Sequence, residues 1–164
     1  MKTQCHNPYL PLWEHIPDGE PHVFEDRLYV FGSHDLENGN EFCEQDYVSW
    51  SAPLDDLSDW HYEGVIYRKD QDPYNVNVLP LYAPDVVQGR DGRYYLYYCI
   101  KFQDSINVAV CDTPAGQYEF YGRVQYKDGQ AMMENQTYDP SVICTEEGNF
   151  LYFGFAPCMI NIPR

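Results

Sequence analysis

A chain of 164 residues, 44% of them apolar, holds enough core-forming material for one folded domain and is too rich in it for disorder. The formal net charge of −16 argues against nucleic acid and anionic membrane surfaces as partners, since both demand clustered Lys and Arg. A neutral partner such as a carbohydrate, or a cation, is compatible with it.

Taken in chain order, the elements are short and aromatic. The N-terminal stretch MKTQCHNPYLPLW has no apolar core of signal-peptide length, and no run anywhere is long enough to span a membrane, so a cytoplasmic location is expected. Strands are then predicted at 27–33 (RLYVFGS), 46–52 (DYVSWSA), 61–67 (HYEGVIY), 93–100 (RYYLYYCI), 106–112 (INVAVCD), 118–124 (YEFYGRV), 140–145 (PSVICT) and 149–155 (NFLYFGF). Each is aromatic or β-branched and bounded by turn residues. Asp91-Gly92, Asp128-Gly129 and Glu147-Gly148 mark turns between them. No window repeats apolar residues at helical spacing over three turns, and 12 prolines would interrupt most candidates. The fold class is all-β.

The cysteines, Cys5, Cys43, Cys99, Cys111, Cys144 and Cys158, form no CxxC pair and no metal-ligand spacing. Several sit inside apolar runs and read as small buried hydrophobes of a reducing compartment, with a disulfide framework the less favoured alternative.

Three stretches line up as an internal repeat: IPDGEPHVFEDRLYVFGSHD, APDVVQGRDGRYYLYY and YDPSVICTEEGNFLYFGF. Each places an aspartate next to proline, then a short apolar strand, an acidic or glycine turn and an aromatic strand. The aspartates are Asp18, Asp85 and Asp139, spaced 67 and 54 residues apart. A strand, a polar loop and a further strand follow the first two units. Four strands per unit is the pattern of β-propeller blades. The innermost strands of a propeller line a central channel, so an acidic residue at the start of each would converge on one pocket. Blade 1 is expected at about 16–67, blade 2 at about 80–125 and the start of blade 3 at about 138–164, making residues 1–164 about two and a half four-stranded blades of an incomplete propeller.

The stretches NPYLPLWEHIPDGEPHVFEDRLYVFGSHD, SWSAPLDDLSDWHYEG, LYAPDVVQGRDGRYYLYY, INVAVCDTPAGQYEFYG and YDPSVI, in this order, resemble glycoside hydrolase family 43, five-bladed propeller enzymes acting on arabinose- and xylose-containing polysaccharides. The resemblance implies hydrolysis by single displacement with inversion. It matches Asp18 to the general base and Asp85, in the APD motif, to the residue that tunes the general acid. Asp139 matches a third acidic position, read as site architecture or substrate contact, with a strand cap as its plainer role. Asp18 and Asp85 have plainer roles as turn residues. Such a set makes chemical sense. An inverting enzyme holds its carboxyls roughly 6.5–9.5 Å apart to admit a water, and a neighbouring carboxylate helps keep the acid protonated.

The family's acid, a glutamate, is expected beyond Arg164; within the chain, Glu134 and Glu20 are the candidates by location. A complete propeller of this family needs close to twice this length. The chain is therefore expected to be a fragment, inactive alone, or half of a homodimer joined through open propeller edges. A non-catalytic carbohydrate-binding half-propeller is the alternative from another class. Trp13, Trp50 and His34 are candidate sugar contacts, by stacking and hydrogen bonding. His22 is a candidate for a sugar or an axial metal, and Trp60 for packing. No metal ligands are assigned and no cofactor is expected; a structural calcium has only the abundance of carboxylates in its favour, without an ordered calcium loop.

Overall fold

The computed structural model describes residues 7–133 and 137–155. β1 (Glu20–Phe24) turns through Glu25 and Asp26 into β2 (Arg27–Phe31), followed by β3 (Tyr47–Pro53) and β4 (His61–Tyr67). These pair antiparallel in the order β1-β2-β3-β4. The second sheet repeats the plan with β5 (Leu81–Gln88), β6 (Tyr94–Ile100), β7 (Ile106–Cys111) and β8 (Glu119–Arg123), again in sequence order. A third sheet holds β9 (Thr137–Cys144) paired antiparallel with β10 (Asn149–Phe155). Among the described residues the helical content is one 3-10 turn, Lys69–Gln71.

Period-two alternation explains how the sheets stack. Along β6, Tyr94, Leu96 and Tyr98 turn into a core shared with Phe31, Tyr47, Ile66 and Tyr67 of the first sheet. Tyr97, on the other face, packs with Leu151 and Phe153 of β10 around Cys99, Ile106 and Met132. Burying one such aromatic contributes about 1.5–3 kcal/mol, provided its hydroxyl finds a partner. The buried tyrosines do. Tyr47 donates to the carbonyl of Tyr82 (2.9 Å), and Tyr118 to that of Pro114 (2.7 Å). The hydroxyls of Tyr67 and Tyr98 lie 2.8 Å apart, and Tyr98 donates to the buried carboxylate of Asp72. Burial, first, pushes the Tyr47, Tyr98 and Tyr118 hydroxyls well above the usual phenol range, so these groups stay neutral donors.

Some large apolar side chains of the described residues remain outside these cores. Val23 and Tyr62 on the first sheet, and Ile143, Phe150 and Tyr152 on the third, are exposed.

The three repeated aspartates are not equivalent in the fold. Asp18 precedes β1, Asp139 is the third residue of β9, and Asp85 is the fifth residue of β5. The expectation of an acidic residue at the start of every innermost strand therefore holds poorly for Asp85, which lies mid-strand. β5 and β9 each carry a register slip, between Tyr82 and Asp85 and between Tyr138 and Ser141; the left-handed residue before the proline is Ala83 in one and Asp139 in the other, so Asp85 stands two residues beyond the equivalent place.

Candidate active site

Asp18 sits in the Ile16–Gly19 loop that feeds β1. Its φ of 53° is left-handed, a conformation that aspartate tolerates better than most residues. The residue is exposed, and its Oδ2 accepts a hydrogen bond from the buried Ser33 hydroxyl (3.2 Å). The loop is pressed onto the end of β2. A Cβ on Gly32 would come within 2.4 Å of Ile16 Cγ2 and 2.8 Å of the Pro17 carbonyl oxygen, so only glycine fits there.

Asp139 repeats this conformation, with φ 53°, and is also exposed. Its carboxyl titrates above the ordinary range, first because water around it is partly displaced and second because the charge of Asp18 disfavours a second negative charge nearby. The Asp18 loop thus acts on a carboxyl of the third sheet. Left-handed non-glycine residues concentrate where a fold holds side chains for use.

Asp85 is different. It is 1% exposed, and both of its oxygens are engaged. His22 on β1 donates from Nε2 to Oδ1 (2.6 Å), and the amide of Val142 on β9 donates to Oδ2 (2.6 Å). One carboxylate therefore ties three innermost strands together.

Of the expected sugar contacts, Trp13 remains exposed, its ring centroid 6.0 Å from that of Trp50. Trp50 and His34 are corrected: both are buried, at 5% and 8% exposure, and neither offers a free face to a sugar. Glu14 explains why. Its buried carboxylate accepts from Trp50 Nε1 (2.7 Å) and lies 2.9 Å from His34 Nε2, while His34 Nδ1 is 2.8 Å from the carbonyl of Asp46. Trp60 packs on Tyr9, with ring centroids 5.0 Å apart.

The sequence profile described as glycosyl hydrolases family 43 matches residues 22–157. The chain belongs to that family. It is 57% identical over 162 residues to a xylosidase/arabinosidase of Thermoclostridium stercorarium, a match covering 96% of this chain and 34% of that protein. A xylosidase/arabinosidase of Bacteroides ovatus is 32% identical over 167 residues, covering 94% of this chain and 47% of its own length. Among solved structures, CoXyl43 superposes with a TM-score of 0.67 at 25% identity, over 92% of this chain and 46% of that one. It is a family 43 β-xylosidase/α-arabinofuranosidase from a compost microbial metagenome, in a calcium-free complex with xylotriose. The chain thus spans about a third to a half of these relatives' length. Its antiparallel four-stranded sheets are the propeller blades of family 43.

Within this family 43 fold, Glu20, His22 and Asp85 bring potential metal-ligand atoms within 4.8 Å of one another. Three side chains, one of them an imidazole, supply fewer than the six to eight oxygen ligands that calcium takes. Glu20 is exposed beside this pair, and Glu134 lies outside the described residues.

Sequence reasoning missed Glu14, Ser33 and Gly32. Glu14 and Ser33 work through partners far along the chain, for which local spacing gives no signal. For Gly32 the available hint was its place at the end of β2, since a glycine there breaks an otherwise strong strand pattern.

Proposed function

We propose that the protein is an inverting glycosidase acting on xylose- or arabinose-containing glycans, in which Asp18 is the general base and Asp139 the carboxyl that tunes the general acid. Asp85 is a structural tie between blades in this reading, in place of the acid-tuning role that motif matching gave it. The observation that carries this is the contrast in availability. Asp18 and Asp139 are exposed and the Asp18 charge raises the Asp139 pKa, whereas Asp85 has both oxygens engaged inside the protein. An exposed carboxylate can take a proton from water as that water attacks the anomeric carbon, and a second carboxyl nearby helps keep the acid protonated.

The substrate class follows the relatives, named as xylosidase/arabinosidase, and the xylotriose held by CoXyl43. The proton donor is assigned to a glutamate beyond residue 164, as the family resemblance implies. On that reading residues 1–164 alone turn over little, because general acid–base assistance contributes about 10²–10⁴-fold.

The test uses the polypeptide of the complete open reading frame containing these residues, assayed on nitrophenyl β-xyloside and α-L-arabinofuranoside with the product anomer followed by NMR. Release of xylose or arabinose with inverted configuration, lost in Asp18→Asn, supports the proposal. Retained configuration overturns it. So does sugar binding without hydrolysis that Asp18→Asn leaves unchanged, the behaviour of a carbohydrate-binding module.

A further inference from the structure

Ser33 has one hydroxyl proton and several polar neighbours, and their chemistry decides where that proton goes. The amide of Ala83 lies 2.8 Å from Ser33 Oγ and can only donate. The Asp18 carboxylate lies 3.2 Å away and, ionised, can only accept. Ser33 must therefore accept from Ala83 and donate to Asp18. The Cys43 thiol also reaches Ser33; burial pushes it up to about 11, so it stays protonated and brings no competing negative charge. Ser33 is fully buried, which removes water as an alternative partner.

The Ala83 amide is available because of the slip in β5. With φ 26° and the ladder to β6 broken between Tyr82 and Asp85, this N–H turns across to the end of β2. The same irregularity therefore supplies the donor that fixes Ser33. Among the described residues, this serine is the hydrogen-bond partner of the Asp18 side chain, through Oδ2.

We infer that Ser33 is a positioning residue for the proposed general base, a hydroxyl locked by the second blade that sets which Asp18 oxygen faces the attacking water. The inference rests on Asp18 acting as the base. A carboxylate freed from this bond would rotate between orientations, and loss of alignment by about 1 Å can cost about 10²-fold in rate.

The experiment compares Ser33→Ala, Asp18→Asn and the double variant in the complete reading-frame polypeptide, measuring kcat and KM separately. Ser33→Ala is expected to lower kcat about 10–100-fold with KM within about two-fold. On the Asp18→Asn background it should lower kcat by less than about two-fold further, because the two residues act as one unit. A single-variant kcat within about two-fold of the parent overturns the inference, as does an equal fall on both backgrounds, which is what a merely structural serine would give. If Ser33→Ala does not fold, Ser33→Thr keeps the hydroxyl: kcat within about five-fold of the parent supports the inference, and a loss as large as that of Asp18→Asn overturns it. Failure of the base assignment itself is distinguishable, because Asp18→Asn alone would then retain parental kcat.

Discussion

Asp85 and the Asp18–Asp139 pair come from stretches of sequence that look alike and end in opposite surroundings. Around Asp85, three strands close in, and each carboxylate oxygen receives a hydrogen bond from a neighbouring blade. Around Asp18 and Asp139 the backbone takes left-handed turns that leave the residues exposed, and partial burial and then the Asp18 charge raise the Asp139 pKa. A carboxylate that is fully paired and buried holds a fold together. One kept exposed beside another at some cost to stability is suited to chemistry. A proline-aspartate motif alone does not distinguish the two; the environment does.

Four substitutions probe this contrast, from the largest expected effect down. Asp18→Asn in the complete polypeptide should reduce kcat by about 10²–10⁴-fold while the unfolding midpoint stays near the parent's. A collapse of stability instead would make Asp18 a turn residue. Asp85→Ala removes the acceptor for His22 and Val142 together, leaving a buried amide unpaired. Urea unfolding should then show a loss of about 2–4 kcal/mol, where a surface carboxylate would show almost none. Gly32→Ala drives a methyl against the Pro17 carbonyl. It should cost about 1–3 kcal/mol and lower kcat as well, since the segment displaced carries Asp18. A neutral outcome would mean that the Ile16–Gly19 loop has other room to move.

Asp139→Asn is the smallest stability effect and has the opposite sign. The folded state raises the pKa of this carboxyl. Its ionisation therefore works against folding above that raised value, and the effect disappears below the unfolded value of 3.8. The asparagine variant should melt about 1–2 °C higher at neutral pH, and the gain should vanish in acid below the carboxylate range. A gain independent of pH would point to packing instead of charge.

Much of the architecture was legible because the strands announce themselves locally. RYYLYYCI alternates between two cores, and Asp91-Gly92 or Glu147-Gly148 closes a hairpin with hydrogen bonds that stay within a few residues of the turn. The site was legible only in part. Asp18, Asp85 and Asp139 stand out by their motifs, yet what buries Asp85 is its hydrogen bonding to β1 and β9, 63 and 57 residues away. Trp50 and His34 looked like sugar contacts because both residue types bind sugars. Glu14, 36 and 20 residues away from them, claims their polar atoms instead. Ser33 was unreadable for the same reason, since one of its partners lies 50 residues further on.

The most direct measurement sets Asp85→Asn beside Asp139→Asn in the complete reading-frame polypeptide, recording kcat per folded molecule and the unfolding midpoint of each. With Asp85 the structural tie and Asp139 the tuning carboxyl, Asp85→Asn should lower the midpoint and keep kcat within about ten-fold, while Asp139→Asn keeps or raises the midpoint and loses about 10–100-fold or more in kcat. The reverse pattern, a stable Asp85→Asn without activity and an active Asp139→Asn, would contradict the assignment and return the acid-tuning role to Asp85.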